Sequence, residues 1–301
     1  MLDLIGGTPT IRLLALEPPG VRLYAKLEGF NPTGSIKDRT AHELVASAER
    51  VGALRPGMTV VEASSGNTGI GLAMVCGMKG HPLLVVMSKK ASRERIAMLR
   101  AYGAELLLTS KEGGADEARR VADELAARDP RRYCRVSQHR SRENVEMHYR
   151  TTGQELVDQV CEPIDWFVSG IGTSATLLGV ARRVREQHPG ARIIGVQPAG
   201  AFNHQEGLRN VDLTDPPEIF DRAGIDRIVT VDDDEARNTA RLLVQRAGVF
   251  CGISSGSVVA AALRLIEEGA RGVFATILPD RGEKYLSTAL YADAGVTNGA
   301  Q

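Results

Sequence analysis

A lysine closes the run Asn31-Pro32-Thr33-Gly34-Ser35-Ile36-Lys37-Asp38, where a loop broken by Pro32 and Gly34 turns into an apolar pattern of helical period over residues 36–51. Ser35 suits the N-cap of that helix, which puts Lys37 in its first turn. The partial positive charge at a helix N-terminus disfavours an ammonium, so Lys37 is expected to have a lowered pKa and to attack a carbonyl as a Schiff-base nucleophile. Asp38 opposes that shift, and a surface lysine paired with Asp38 or Glu43 is the alternative.

Three further runs have residue types suited to anions. Glu62-Ala63-Ser64-Ser65-Gly66-Asn67-Thr68-Gly69 follows an apolar segment and opens a helix, so hydroxyls and backbone N–H groups converge where an anion binds. A carboxylate and a phosphate both fit, a Walker loop does not, and a capped turn without a ligand is the alternative. In Ser169-Gly170-Ile171-Gly172-Thr173-Ser174-Ala175-Thr176, Gly170, Gly172 and Ala175 satisfy Gly-x-Gly-x-x-Gly/Ala, which taken alone suggests an NAD-dependent oxidoreductase. That reading requires an acidic residue after the next strand, where Gln197-Pro198 stands. The hydroxyls of Thr173, Ser174 and Thr176 better suit a terminal phosphate monoester, with its higher charge and extra acceptors. Phe250-Cys251-Gly252-Ile253-Ser254-Ser255-Gly256-Ser257 brackets two serines with glycines before an Ala-rich helix, and by itself is no more than a cap.

Holding these runs together requires an alternation of strands and helices. Short β-branched segments at 22–27, 58–62, 83–87, 105–109, 165–169, 192–197, 227–231 and 272–277 read as strands. Helical periods fall at 67–78, 92–102, 115–128, 143–160, 175–187, 234–247 and 257–268, predicting parallel sheets with helices on both faces. The 301 residues suffice for about two domains at roughly 150 each. Segment 135–144 is the candidate crossing between them, and 198–215 is the longest loop without periodicity. With 37 basic and 37 acidic residues and 4% aromatics, the chain has no compositional footprint of a nucleic-acid binder. Its apolar runs fall short of the roughly 18 residues of a membrane span. No basic segment precedes an apolar core at the N-terminus, and Cys76, Cys134, Cys161 and Cys251 form no Cys-x-x-Cys pair. A cytoplasmic protein with reduced thiols and no metal site is the expectation.

Taken in order, these motifs resemble the fold type II pyridoxal-phosphate enzymes, in particular the cysteine synthase and cystathionine β-synthase branch. Further markers are Gly7-Thr8-Pro9, Lys26-Leu27-Glu28, residues 100–105, Thr151-Thr152-Gly153 and the run Pro279-Asp280-Arg281-Gly282-Glu283-Lys284-Tyr285-Leu286-Ser287-Thr288, so the resemblance spans nearly the whole chain. Residues 95–128 and 249–252 look most like B-type cysteine synthases, which use O-acetylserine or O-phosphoserine. The resemblance implies two three-layer α/β/α domains of the tryptophan-synthase-β-like architecture, with residues 1–34 and 142–301 forming the larger, cofactor-binding domain and 35–141 a smaller mobile one. It implies pyridoxal 5'-phosphate held by Lys37, its phosphate cradled by Gly172, Thr173, Ser174, Ala175 and Thr176, its ring oxygen met by Asn67 and its ring nitrogen by Ser254. Ser64, Ser65, Gly66, Thr68 and Gln138 would grip the substrate carboxylate. A neutral hydroxyl at the ring nitrogen favours elimination over transamination. The implied activity is β-replacement on an O-activated L-serine through an aminoacrylate, with a sulfur nucleophile giving L-cysteine, in a homodimer.

Two departures bear on the substrate. Gln138-His139-Arg140-Ser141-Arg142 stands where cysteine synthases generally carry an apolar Gln-Phe, so the wall beside the substrate is expected to be cationic and could receive a carboxylated amine such as L-glutamate, giving a 2,3-diaminopropionate precursor. Gly207-Leu208-Arg209-Asn210 resembles the segment whose arginine binds the phosphate of O-phosphoserine in some relatives, and Arg209 is the candidate here, with a solvated loop arginine as the alternative. A protein sulfur carrier is a further partner the family allows, with no residue here that argues for it.

Overall fold

The computed structural model describes residues 1–64, 66–89 and 91–291. Its strands are β1 (Thr10–Arg12), β2 (Val21–Leu27), β3 (Thr59–Ala63), β4 (Leu83–Ser88), β5 (Glu105–Thr109), β6 (Tyr133–Arg135), β7 (Trp166–Gly170), β8 (Arg192–Pro198), β9 (Arg227–Val231) and β10 (Gly272–Leu278). Its helices are α1 (Lys37–Arg50), α2 (Asn67–Lys79), α3 (Arg93–Ala101), α4 (Gly114–Arg128), α5 (Arg142–His148), α6 (Gln154–Gln159), α7 (Ala175–Gln187), α8 (Asp233–Ala247) and α9 (Ile253–Glu267). Six strands form one sheet in the order β1-β2-β10-β7-β8-β9 and four form another in the order β5-β4-β3-β6. Only β1 runs antiparallel to its neighbour, so the α/β expectation of parallel sheets holds for all the central strands.

Strand alternation divides each sheet between two cores. Val60, Leu83, Val85 and Met87 face α1 and α2, whereas Val61, Leu84 and Val86 face Ala118 and Ala122 of α4. In the larger sheet Leu23, Val168, Ile194 and Phe274 pack with α8 and α9, and Phe167, Ile193, Ala275 and Ile277 pack with α6 and α7. Both sheets are thus covered on both faces, and the crossing at 135–144 carries the chain from β6 of the smaller sheet to α5, which packs on α1 and α7.

Three expectations need correction. The helix expected over 143–160 is interrupted by a π-helical turn at Tyr149–Gly153. Gly179 of α7 lies so close that a Cβ there would meet the Val145 carbonyl oxygen at 2.4 Å, and Gly153 sits against Arg183 in the same way, so helix contact decides the backbone path. The N-cap of α1 is Ile36 with no side-chain cap, while the Ser35 hydroxyl accepts from the Lys37 amide at 3.3 Å. Helix α9 begins at Ile253, four residues before the expected start, which places Ser254 in its first turn.

Candidate active site

The first turn of α1 is built onto residues of the larger sheet's side. Ile36 N–H donates to the Pro279 carbonyl at 2.8 Å, and Arg39 forks onto Glu28 (Nε–Oε2 2.8 Å) and Glu155 (Nη2–Oε2 2.6 Å). Asp38 turns back into the loop, accepting from the Thr33 amide at 2.6 Å and from the Thr33 hydroxyl. Lys37 is left in the wall of a cleft of about 570 Å³ between the two sheets. Burial pushes its pKa down to about 8, and Asp280 opposes the shift. The lowered amine pKa was expected, but its cause is desolvation, and the opposing carboxylate is Asp280 in place of Asp38.

The β3–α2 turn and the 172–176 run face that amine. The Ser64 hydroxyl accepts from the amides of Gly66 (3.3 Å) and Gly69 (3.1 Å), so it closes the turn, and its own hydrogen remains for a ligand. Thr68 donates to Gln138 Oε1 at 2.8 Å, leaving the Gln138 amide NH2 to donate. Ser64, Gly66, Asn67, Thr68, Gln138, Gly172, Thr173 and Arg209 all line the cleft with Lys37, whereas Ser65 lies outside the described residues. Ser174, Ala175 and Thr176 continue the chain from the lined edge into α7 and are not themselves in the wall.

The 172–176 run fits a phosphate. Ser174 has φ 74°, a left-handed conformation uncommon outside glycine. Its buried hydroxyl has no partner, and the amides of Gly172, Thr173, Ser174 and Thr176 find no acceptor among the described residues. Those donors meet at the N-terminus of α7, where the helix dipole adds to their attraction for an anion. A Cβ at Gly172 would sit 2.0 Å from the Gly207 carbonyl oxygen, so only glycine permits this approach. Thr176 is oriented from behind by His148, whose ring nitrogens contact the Thr176 hydroxyl (3.2 Å) and the Thr152 hydroxyl (2.9 Å). Burial holds that imidazole well below its usual pKa, so it is neutral.

The expected cationic wall is largely absent. Arg142 does not line the cleft, and Arg140 is turned to Glu218 at 2.7 Å and to Asp123. His139 does line it, but burial and the charges of Arg209 and Arg119 push its pKa down to about 3, so it is neutral. The cleft arginines are Arg95, Arg119 and Arg209. Arg95 pairs with Glu206 and Arg119 with Asp116, while Arg209 donates to the Asp215 carbonyl at 2.5 Å and has no carboxylate partner among the described residues.

Ser254 is buried but lies outside the cleft wall. It follows Gly252, whose amide donates to the Asp280 carbonyl at 3.2 Å. Asp280 is the residue the motif reading left without a role: it accepts from Asn67 Nδ2 at 2.7 Å and from the Tyr285 hydroxyl at 2.7 Å. Its position just past the C-terminal end of β10, where open α/β sheets place their ligands, was the available signal. Arg119 was also missed, and its signal was the face shared with Ala115 and Ala118, one turn apart on α4.

The chain as a whole has counterparts among known proteins. The family described as "pyridoxal-phosphate dependent enzyme" matches residues 1–280. Cysteine synthase B of Pseudomonas aeruginosa is 43% identical over 292 residues, covering 96% of each chain. O-ureido-L-serine synthase of Streptomyces lavendulae is 40% identical, covering 97% of this chain and 92% of that one. A crystal structure of cysteine synthase from Entamoeba histolytica superposes with a TM-score of 0.90 at 34% identity, covering 97% of this chain and 90% of the other. One of O-ureido-L-serine synthase gives 0.92 at 39%, covering 98% and 95%. The chain therefore belongs to the fold type II pyridoxal-phosphate-dependent enzymes, among the relatives of cysteine synthase.

Proposed function

We propose that the protein catalyses β-replacement on an O-activated L-serine, O-phosphoserine or O-acetylserine, with a sulfur nucleophile, forming L-cysteine. The observation that carries this reading is the Lys37 amine, with a pKa of about 8, in one cleft with a phosphate cradle and a second, separate anion-binding turn. Pyridoxal phosphate, when bound, supplies the aldehyde for that amine and the electron sink that lets a Cα–H and a Cβ–O bond break.

The chain's residues divide the remaining work. Gly172, Thr173, Ser174, Ala175 and Thr176 hold the phosphate, Asn67 the ring oxygen, and Ser254 is assigned to the ring nitrogen. Ser64, Ser65, Gly66, Thr68 and Gln138 bind the substrate carboxylate through amides and hydroxyls. Once displaced by the substrate's amino group, Lys37 Nζ takes the Cα proton and later returns it; a lysine pKa near the working pH suits both transfers. Arg209, which lines the cleft with no carboxylate partner among the described residues, meets the phosphate of the leaving group. Residues 35–141 move as the smaller domain against 1–34 and 142–301, closing over the carboxylate and excluding water. Support for that division comes from the separate sheet of β3–β6 and from the Arg95–Glu206 pair, which spans the cleft between them. A homodimer and cytoplasmic residence accompany this reading on the family resemblance; no helix among the described residues is long and apolar enough to cross a membrane.

One relative is named for making O-ureido-L-serine, so an oxygen nucleophile is a second reading at the same site. A carboxylated amine is less supported, because Arg140 and Arg142 do not reach the cleft. The test crosses O-acetylserine and O-phosphoserine with sulfide, thiosulfate, hydroxyurea and glutamate and reads products by mass. Cysteine from sulfide is the expected result, and no β-substituted alanine from any combination would refute the proposal.

A further inference from the structure

Asn67 belongs to α2 beside the smaller sheet, yet the two partners of its side chain among the described residues come from the segment after β10 of the larger one. Its Nδ2 donates to Asp280 Oδ2 at 2.7 Å, and Lys284 Nζ donates to its Oδ1 at 2.7 Å. Tyr285 adds a second donor on the same carboxylate oxygen at 2.7 Å. An ammonium only donates and a carboxylate only accepts, so these two contacts admit a single orientation of the amide. One N–H of Nδ2 is then left over, on a residue that lines the cleft. Asp280 and Lys284 are buried, and Asp280 Oδ1 has no partner among the described residues.

We propose that Asp280 and Lys284 are positioning residues that act through Asn67: they lock its amide from the opposite side of the cleft, so that its remaining N–H stays available to the hydroxyl oxygen of the cofactor ring. This rests on the pyridoxal-phosphate reading of the site and adds to it a tie between ring recognition and the contact of the two sheets. Because Asn67 is gripped from across the cleft, opening that separates α2 from the 280–285 segment releases the amide and weakens the hold on the ring.

The experiment is a double-mutant cycle on cofactor affinity. Pyridoxal phosphate is titrated into cofactor-free wild type, Asn67→Ala, Lys284→Met and the double variant, with bound cofactor read by absorbance. Lys284→Met leaves the Asn67 oxygen unmet and is expected to weaken binding about tenfold. In the Asn67→Ala background the same change is expected to cost nothing further. Lys284→Arg, which keeps a cationic donor, is expected to recover most of the loss, and Lys284→Gln replaces the methionine variant if that protein does not fold cooperatively. A second readout is amine reactivity of Lys37 in the cofactor-free protein: Asp280→Asn removes the charge that opposes the lowered pKa, so the titration midpoint moves below about 8. Equal losses from Lys284→Met in both backgrounds, with wild-type cofactor uptake intact, overturn this inference alone. A wild-type protein that takes up no pyridoxal phosphate overturns the cofactor reading beneath it.

Discussion

If desolvation sets the acidity of Lys37, the pH dependence of its amine follows quantitatively. A pKa of about 8 leaves roughly a quarter of the molecules with a free amine at pH 7.5, whereas an ordinary lysine at 10.5 has about 0.1%. The perturbation is pH itself, applied to the cofactor-free protein. The assay is competitive acetylation read by peptide mass spectrometry, with a free lysine model peptide added as the reference amine. Lys37 labelling, normalised to its own plateau, is expected to rise about tenfold per pH unit below 8 and level off above it, while the reference amine keeps rising. The same shift makes a stability statement. The folded lysine loses its proton at a lower pH than the unfolded one, so between about 8 and 10.5 the unfolded state binds more protons and stability rises with pH, by roughly 3 kcal/mol in all. An inflection for Lys37 that coincides with that of the reference amine would refute the argument, because the cleft would then impose no desolvation on the amine.

Other consequences separate the parts of the site. Arg209→Ala is expected to lower kcat/KM for O-phosphoserine about 10- to 150-fold and leave O-acetylserine nearly unchanged; equal losses with both donors would remove the phosphate contact. Gly172→Ala puts a methyl group 2.0 Å from the Gly207 carbonyl, so the cradle must shift, and loss of cofactor affinity in a folded protein is the expected signature. Glu206→Gln weakens the Arg95 pair across the cleft and should raise KM several-fold with little change in kcat, and a fall in kcat alone would argue against a closing contact. Glu62 is fully buried against Arg135 with its pKa raised to about 7, so the folded state holds an extra proton between about 4.5 and 7 and stability falls as pH rises through that window; urea midpoints at pH 5 and 8 should show the decline, and Glu62→Gln should flatten it.

Much of this architecture was readable from local pattern, because a buried parallel strand needs an apolar run and a covering helix needs a 3.6-residue period. The eight longer strands fall where those patterns place them, whereas β1 and β6, three residues each, are strands only because β2 and β3 offer them an edge. The break at Tyr149–Gly153 was illegible for a similar reason: residues 143–160 have an uninterrupted helical pattern, and the close approach of α7 at Gly179 overrides it.

The site divides along the same line. Residue type and local order determined that an amine stands at a helix start, that hydroxyl-rich turns open α2 and α7, and that the motifs belong together, since each of these depends on neighbours a few positions away. Only the tertiary structure decided what surrounds them. It turned Asp38 into its own loop, set Asp280 near Lys37, sent Arg140 and Arg142 away from the cleft, and left Arg209 there without a carboxylate partner among the described residues. Those outcomes depend on burial and on charges distant in the chain, which act through space once the sheets meet and leave no mark in the sequence pattern around each residue.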